Sequence, residues 1–237
     1  MNSIVLITTA TAPPSGMMYL TTVDVATRSI AAKAAIFSWA TQGVEKIVIA
    51  DATGNVLLDQ GEVFMLKQMN VEVEQLCYFQ DDELVKQKGK GYAEGKLMQF
   101  ALENSEFLKG ASSFFKCTGK IYCRNFKNLC EVIEHHQIQN MFWKKVDHDG
   151  LFSRWTDTRF YYTTIEFFTE NVLPQYLACD DNVTAIESLC FHMLNEKLPA
   201  MRSLRPYLFG LCGGAGQLYE DEYLGGLDRA FPCWANN

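Results

Sequence analysis

The sequence predicts an α/β domain with a mostly parallel central sheet flanked by helices and an aromatic-rich, helical C-terminal half. Two observations carry that class. A short apolar run, a helix-spaced segment and a second short apolar run follow one another in the opening stretch, and parallel strands need a crossover of about a dozen residues or more between them. Further strand-like runs over 71–76 and 112–117 again alternate with helical spacing. The chain has 237 residues, 48% of them apolar, enough for one core. No internal repeat, heptad or low-complexity linker divides it, so residues 1–237 read as a single domain.

Each element has its own signal. Ile4-Val-Leu-Ile7 is a buried strand that stops in Thr8-Thr-Ala-Thr-Ala-Pro-Pro-Ser-Gly16, a run of small and helix-breaking residues. From Val23 to Trp39 the apolar spacing is helical, with Thr22 or Asp24 as N-cap and Gly43 past the end. Lys46-Ile-Val-Ile-Ala50 is the next strand and closes on Asp51-Ala-Thr-Gly54, and Val71–Leu76 alternates like a third. Lys86-Gln-Lys-Gly-Lys-Gly91 reads as a basic loop leading into a helix over Tyr92–Leu108, whose Leu97, Phe100, Ala101 and Leu108 share one stripe. Anions favour the N-terminus of such a helix, beside Lys88 and Lys90. Ser112–Cys117 is a strand ending at Thr118-Gly119, with a short helix over Leu129–His135 after it. Aromatics then gather at Met141-Phe-Trp143, Phe152, Trp155 and Arg159-Phe-Tyr-Tyr162, followed by helices over Ile165–Tyr176 and Thr184–Leu194. From Gly210 the chain is glycine-rich and reads either as a lid or as a loosely packed extension.

Composition excludes several functions. The net charge is −7 and the Lys and Arg residues are scattered, so no nucleic-acid partner is expected. Eight cysteines form no Cys-x-x-Cys pair, and Met1 leads into neither a basic segment nor a long apolar one; free thiols and a cytoplasmic location are expected. No window approaches the ~18 apolar residues that span a bilayer, so any membrane contact is expected to be peripheral. Walker A, Gly-x-Gly-x-x-Gly and Gly-x-Ser-x-Gly motifs are all missing.

Candidate chemistry gathers at strand ends, where α/β folds carry their ligands. Thr8, Thr9 and Thr11, with Ser15 and Gly16, offer hydroxyls and backbone N–H groups to a nucleotide; an ordinary strand exit is the alternative. Asp51 either accepts from a base or ribose or caps a turn with Thr53 and Gly54. Lys116 and Lys120 flank Thr118-Gly119, an arrangement that suits a diphosphate or makes a solvated pair beside a turn. Asp147-His-Asp149 either holds Mn²⁺ or Mg²⁺ or is a polar turn. Asp157 and Arg159 project from an apolar stretch, as a functional or a structural pair. Asp180-Asp181-Asn182 reads as an exposed turn and helix cap, and Glu187 as the partner of Thr184 in a capping box.

Four stretches resemble a family of bacterial and viral polysaccharide-assembly glycosyltransferases with a GT-A-like, nucleotide-diphospho-sugar transferase fold. They are Ile4–Thr11; Ile47-Val-Ile-Ala-Asp51 with Gly54; Gly89-Lys-Gly-Tyr-Ala-Glu94 with Ala101-Leu-Glu-Asn-Ser105; and Phe114-Phe-Lys-Cys-Thr-Gly-Lys120 with Asn125. Asp157-Thr-Arg-Phe160 and Ile186-Glu187 match later family positions. The resemblance implies a Rossmann-like sheet with a nucleotide-binding half over 1–126, an acceptor side over 127–209 and a glycine-rich tail over 210–237. It implies sugar transfer from a nucleotide-sugar donor to a glycan or lipid-linked acceptor. Thr8, Thr9, Thr11, Asp51 and Lys90 would hold the donor, and Lys116, Thr118, Gly119 and Lys120 its diphosphate. Asp157 or Glu94 would serve as base or metal ligand, with Arg159 beside them, and Trp155 and Tyr161 would stack on sugars or belong to the core. The chain departs from the family in carrying Lys120 where Arg is preferred, and no strand leads into an Asp-x-Asp, so metal independence stays open. Two rival functions share these features: a sugar-phosphate nucleotidyltransferase, whose Gly-rich opening with Arg and Lys this chain lacks, and a non-catalytic nucleotide- or carbohydrate-binding module.

Overall fold

A computed structural model describes residues 3–14, 24–146, 152–211, 218–220 and 231–237. The parallel core forms first in the chain. Strand β1 (Ile4–Thr9) is followed by α1 (Val25–Thr41), β2 (Lys46–Asp51), α2 (Gln60–Gln68) and β3 (Glu72–Cys77). Asp24 caps α1 by accepting from the Thr27 N–H, and Gly43 follows the helix at φ 81°. Helix α2, which its mixed polar sequence concealed, starts with a capping box between Asp59 and Glu62 and is tied to α1 by the Lys33–Glu62 ion pair at 2.7 Å. The stretch expected to be a basic loop, Lys86–Gly91, is the end of helix α3 (Asp82–Lys88) and the start of α4 (Lys90–Asn104), separated by Gly89 at φ 92°. Ser105 ends α4 and caps α5 (Glu106–Lys109), so the predicted helix is two helices.

Strand β4 (Ser113–Thr118) then pairs on the far side of β1, and β5 (Ile121–Cys123) leads to α6 (Phe126–His135). The C-terminal half expected to be helical begins as three strands, β6 (Asn140–Val146), β7 (Phe152–Thr156) and β8 (Phe160–Thr164). Burial on both faces explains why: Phe160, Tyr161 and Tyr162 are all buried, a continuous apolar strand that periodicity alone does not separate from a helix. After it come α7 (Ile165–Phe167), a π-helical turn (Phe168–Val172), α8 (Leu173–Ala178) and α9 (Ile186–Lys197). The last strands are β9 (Ala200–Ser203), β10 (Leu208–Leu211), β11 (Leu218–Glu220) and β12 (Phe231–Asn236).

The main sheet has the order β3-β2-β1-β4-β8-β6-β12-β9, with β7 paired to β6; β11-β10-β5 form a second, small sheet. Pairing is parallel from β3 to β4 and antiparallel from β4 to β9, so the sheet is mixed, with its parallel part confined to the first half. Within the segment read as a glycine-rich tail, β12 is an interior strand between β6 and β9, with Cys233 and Trp234 buried. Residues 212–217 and 221–230 lie outside the described residues. One core layer sets Trp39 and Ile36 of α1 and Phe126, Leu129 and Ile133 of α6 against the sheet. The other packs Leu97 and Met98 of α4, Tyr176 of α8 and Leu194 of α9 on the opposite face. The seven described cysteines are free thiols, and no described helix is long and apolar enough to cross a membrane.

Helix α4 lies close to α8 because Gly95 has no side chain; a Cβ there would stand 2.5 Å from Tyr176 Cβ. Gly95→Ala is predicted to cost about 1–3 kcal/mol by overpacking. At about 2–4 °C per kcal/mol for a chain of this size, calorimetry should show a Tm drop of roughly 2–12 °C. An unchanged Tm would rule out this contact.

Candidate functional site

Strand β1 lies between β2 and β4: the chain lays β2 and β3 on one side before returning to β4 on the other. Open α/β sheets take ligands in the crevice outside the strand C-termini at such a reversal. The strands here end level with one another, Thr8 opposite Thr118 and Thr9 opposite Asp51. Alternation along β4 turns Phe115 and Cys117 into one core layer, and Phe114 and Lys116 toward α4.

Lys116 is fully buried, and its ammonium has three donors. They meet Glu94 Oε1 of α4 at 2.8 Å, Thr118 Oγ1 at 2.9 Å and the Thr158 carbonyl at 2.7 Å. Lys116 therefore has no donor left for a diphosphate in this arrangement. Glu94 Oε1 also accepts from the Thr8 hydroxyl at 2.5 Å and stands 3.5 Å from that of Thr118. Among the described residues Oε2 has no partner, and a fifth of the side chain is exposed. The Gly119 N–H donates to the Thr8 carbonyl at 2.6 Å and closes the seam between the β1 and β4 ends.

The turn from β7 into β8 lies on the same rim, because Thr118 N–H donates to the Arg159 carbonyl and β8 starts opposite Cys117. Arg159 grips Asp157 in a fork, Nη2 to Oδ2 at 2.6 Å and Nε to Oδ1 at 2.8 Å. Burial alone would raise the Asp157 carboxyl; the Arg159 guanidinium, by charge and hydrogen bonds, outweighs it and holds the carboxyl below its ordinary range. The structure thus brings Thr8, Thr9, Glu94, Lys116, Thr118, Gly119, Asp157 and Arg159 to one edge. Lys120 follows at φ 73° in the turn to β5, its side chain buried.

Other predicted residues are engaged elsewhere. Asp51 is 1% exposed and its carboxylate ties its own turn to the loop after β1, accepting from the N–H groups of Thr53 and Asn55, from the Thr53 hydroxyl and from the Thr11 N–H. This is the turn-capping alternative. The N-terminus of α4 holds the carboxylate of Asp181, which accepts from Lys90 N–H at 2.6 Å and Gly91 N–H at 3.3 Å, so the chain itself supplies the anion expected there. Lys90 is exposed at that end. Glu187 does not close a capping box: Ala185 is the N-cap of α9, and Glu187 Oε1 lies 3.5 Å from the Thr158 hydroxyl. Tyr161 is core, stacked on Phe142 and lying under Lys116, whereas Trp155 is 38% exposed. Asp147, Asp149, Ser15 and Gly16 lie outside the described residues, and among those described no three His, Cys, Asp or Glu gather as a metal site.

One rim residue escaped the sequence reading. Arg28 of α1 is 5% exposed, donates from Nε to the Ala10 carbonyl at 2.7 Å and feels the charge of Asp51. Its signal was a charge on the stripe shared with Ala32, Ala35 and Trp39.

No family model matches the chain, and no curated protein matches it significantly. Among solved structures, HddC from Yersinia pseudotuberculosis overlays 79% of this chain and 84% of its own, at 14% identity and a TM-score of 0.34. A Bacillus anthracis protein assigned as a glucose-1-phosphate thymidylyltransferase, solved with sucrose, overlays 88% and 89%, at 9% identity and a TM-score of 0.43. Both scores lie below the level at which an overlay transfers residues or roles.

Two predictions concern the charges. Lys116→Met strands a carboxylate and should cost about 3–5 kcal/mol in urea unfolding, part of it recovered when Glu94→Gln is added; a cost near zero would refute the buried pair. For Asp157 the folded pKa lies below the ordinary 3.8. Its pairing therefore stabilises fully above that value and is lost as pH falls through the folded pKa. The urea midpoint of Asp157→Asn should fall less steeply than that of the native chain as pH is lowered below about 4.

Proposed function

We propose that the protein is a glycosyltransferase that binds a nucleotide-sugar at the C-terminal ends of β1 and β4 and passes the sugar to a hydroxyl of a glycan or lipid-linked acceptor. The observation that supports it is the convergence of Thr8, Thr118 and the carboxylate of Glu94 at the point where strand order reverses. The family resemblance of the same segments points the same way. In this reading the bond between the anomeric carbon and the nucleotide diphosphate breaks and one to the acceptor oxygen forms. The acceptor proton passes to a carboxylate, and the nucleoside diphosphate leaves.

Glu94 is the better base of the two candidates. Both oxygens of Asp157 are held by Arg159, whereas Glu94 keeps Oε2 for a substrate hydroxyl. Lys116 becomes a positioning residue, and Lys90, exposed at the start of α4, is the lysine proposed to meet the diphosphate. Lys90 lies one helical turn before Glu94 on α4 and so shares its side of the helix. The reading routes no step through a metal; Mn²⁺ and Mg²⁺ enter it as variables of the test.

UDP-, GDP- and dTDP-sugars at millimolar concentration, with Mn²⁺, with Mg²⁺ and without either, form the panel. At one hundred times Kd a ligand adds about 2.7 kcal/mol, so the right donor should raise the Tm by roughly 5–11 °C. Glu94→Gln should keep that shift and lose about 100-fold or more of sugar transfer or donor hydrolysis. No shift with any donor would falsify the proposal, and release of pyrophosphate from a nucleoside triphosphate would replace it with nucleotidyl transfer.

A further inference from the structure

Phe79 lies just beyond β3 and is 80% exposed. Its backbone is nonetheless fixed. It bridges Thr53, the Tyr78 N–H donates to the Asp51 carbonyl at 2.8 Å, and the Gln80 N–H donates to the Ala52 carbonyl at 3.2 Å. The ring lies against Gly54, where any Cβ would fall 2.2 Å from Phe79 Cε1, and Gly54 itself takes φ 73°. One face is thus seated on backbone that only glycine leaves clear, while the side chain as a whole stays in water. An exposed ring lying over glycine, on backbone this well fixed at the C-terminal edge of a parallel sheet, is a surface for something flat. Polar groups flank Gly54 in the same turn: the hydroxyls of Thr11 and Thr53 are 3.1 Å apart, the Asn55 amide donates to them at 2.9 and 3.0 Å, and the Thr53 hydroxyl also donates to Asp51. A planar apolar face bordered by hydrogen-bonding groups matches a nucleobase, which has a π face and a polar edge.

We infer that Phe79 is the stacking platform for the base of the nucleotide, and that Gly54 exists to seat it. The inference rests on the proposed function and adds a residue that decides how tightly, and by which base, the donor is held. It places the base over the β2 and β3 ends and the diphosphate nearer β1 and β4.

Calorimetric titration of the native chain and Phe79→Ala with uridine, guanosine, cytidine and thymidine diphosphates tests it, with pyrophosphate as a probe that has no base. Base–aromatic stacking is worth about 1–3 kcal/mol, so Phe79→Ala should weaken the tightest nucleoside diphosphate about 5- to 140-fold and leave pyrophosphate unchanged. Phe79→Trp should bind that nucleotide and show quenched emission from the new indole. Equal nucleotide affinity in Phe79→Ala and the native chain overturns this inference alone. Equal losses for nucleotide and pyrophosphate overturn it as well, since the ring would then be serving the fold. A native chain that binds no nucleoside diphosphate overturns the glycosyltransferase reading together with it.

Discussion

An ammonium group in the layer between a sheet and its helices is tolerated only when each of its hydrogens has an acceptor, and Lys116 fills that condition from three separate elements. Glu94 comes from α4, Thr118 from the end of β4 itself and the Thr158 carbonyl from the turn into β8. These contacts fix how far α4 can slide along the sheet and where the β7–β8 turn must sit. A shift of one turn in the helix would leave both charges unpaired, which the low dielectric of the interior makes costly. Gly95 lets α8 press on the other side of α4, so the helix is located by charge on one side and by contact on the other.

That constraint also divides the labour at the rim. A lysine that holds a carboxylate in place cannot at the same time grip a phosphate, and a carboxylate forked by arginine is less free to take a proton. Distances thus reassign the roles that residue types suggested: Lys116 supports, Asp157 anchors a turn and Glu94 pairs with Lys116 while a fifth of its side chain reaches the surface. Asp51 and Asp181 behave likewise, since Asp51 spends both oxygens on backbone N–H groups of its own chain and Asp181 spends Oδ2 on backbone N–H groups and Oδ1 on the Cys179 thiol.

The first half of the fold was legible because β1, β2 and β4 are short apolar runs ending in threonine, aspartate or glycine, and because α1 carries a clear cap at Asp24. Local chemistry sufficed there. Helix α2 was missed because its buried face is little more than Leu66. The strands β6 and β8 were missed because residues buried on both sides show no alternation. At the site, the strand-end residues were identified from pattern, but which of them pair was not, since Glu94 and Lys116 meet across 22 positions of sequence and Asp181 reaches Lys90 across 91. Pairings of that kind are fixed by packing. Arg28 shows the reverse case, a charge on an apolar stripe whose oddity was itself the signal.

Strand β12 gives the chain an order of events during synthesis. β1 to β4 can pair as they are made, and β6 can pair with β7 and β8, but residues 140–143 of β6 receive their other neighbour only when residues 231–236 arrive; Asn140 and Asn236, side by side in the sheet, are 96 positions apart. Until then the edge of β6 that carries Phe142 and Trp143 is open, and such an edge recruits strands from other chains. Closing so long a loop is slow compared with local pairing. The nascent protein therefore passes through a stage at which its parallel half is built and its antiparallel half is adhesive, a stage in which a chaperone has a defined surface to shield.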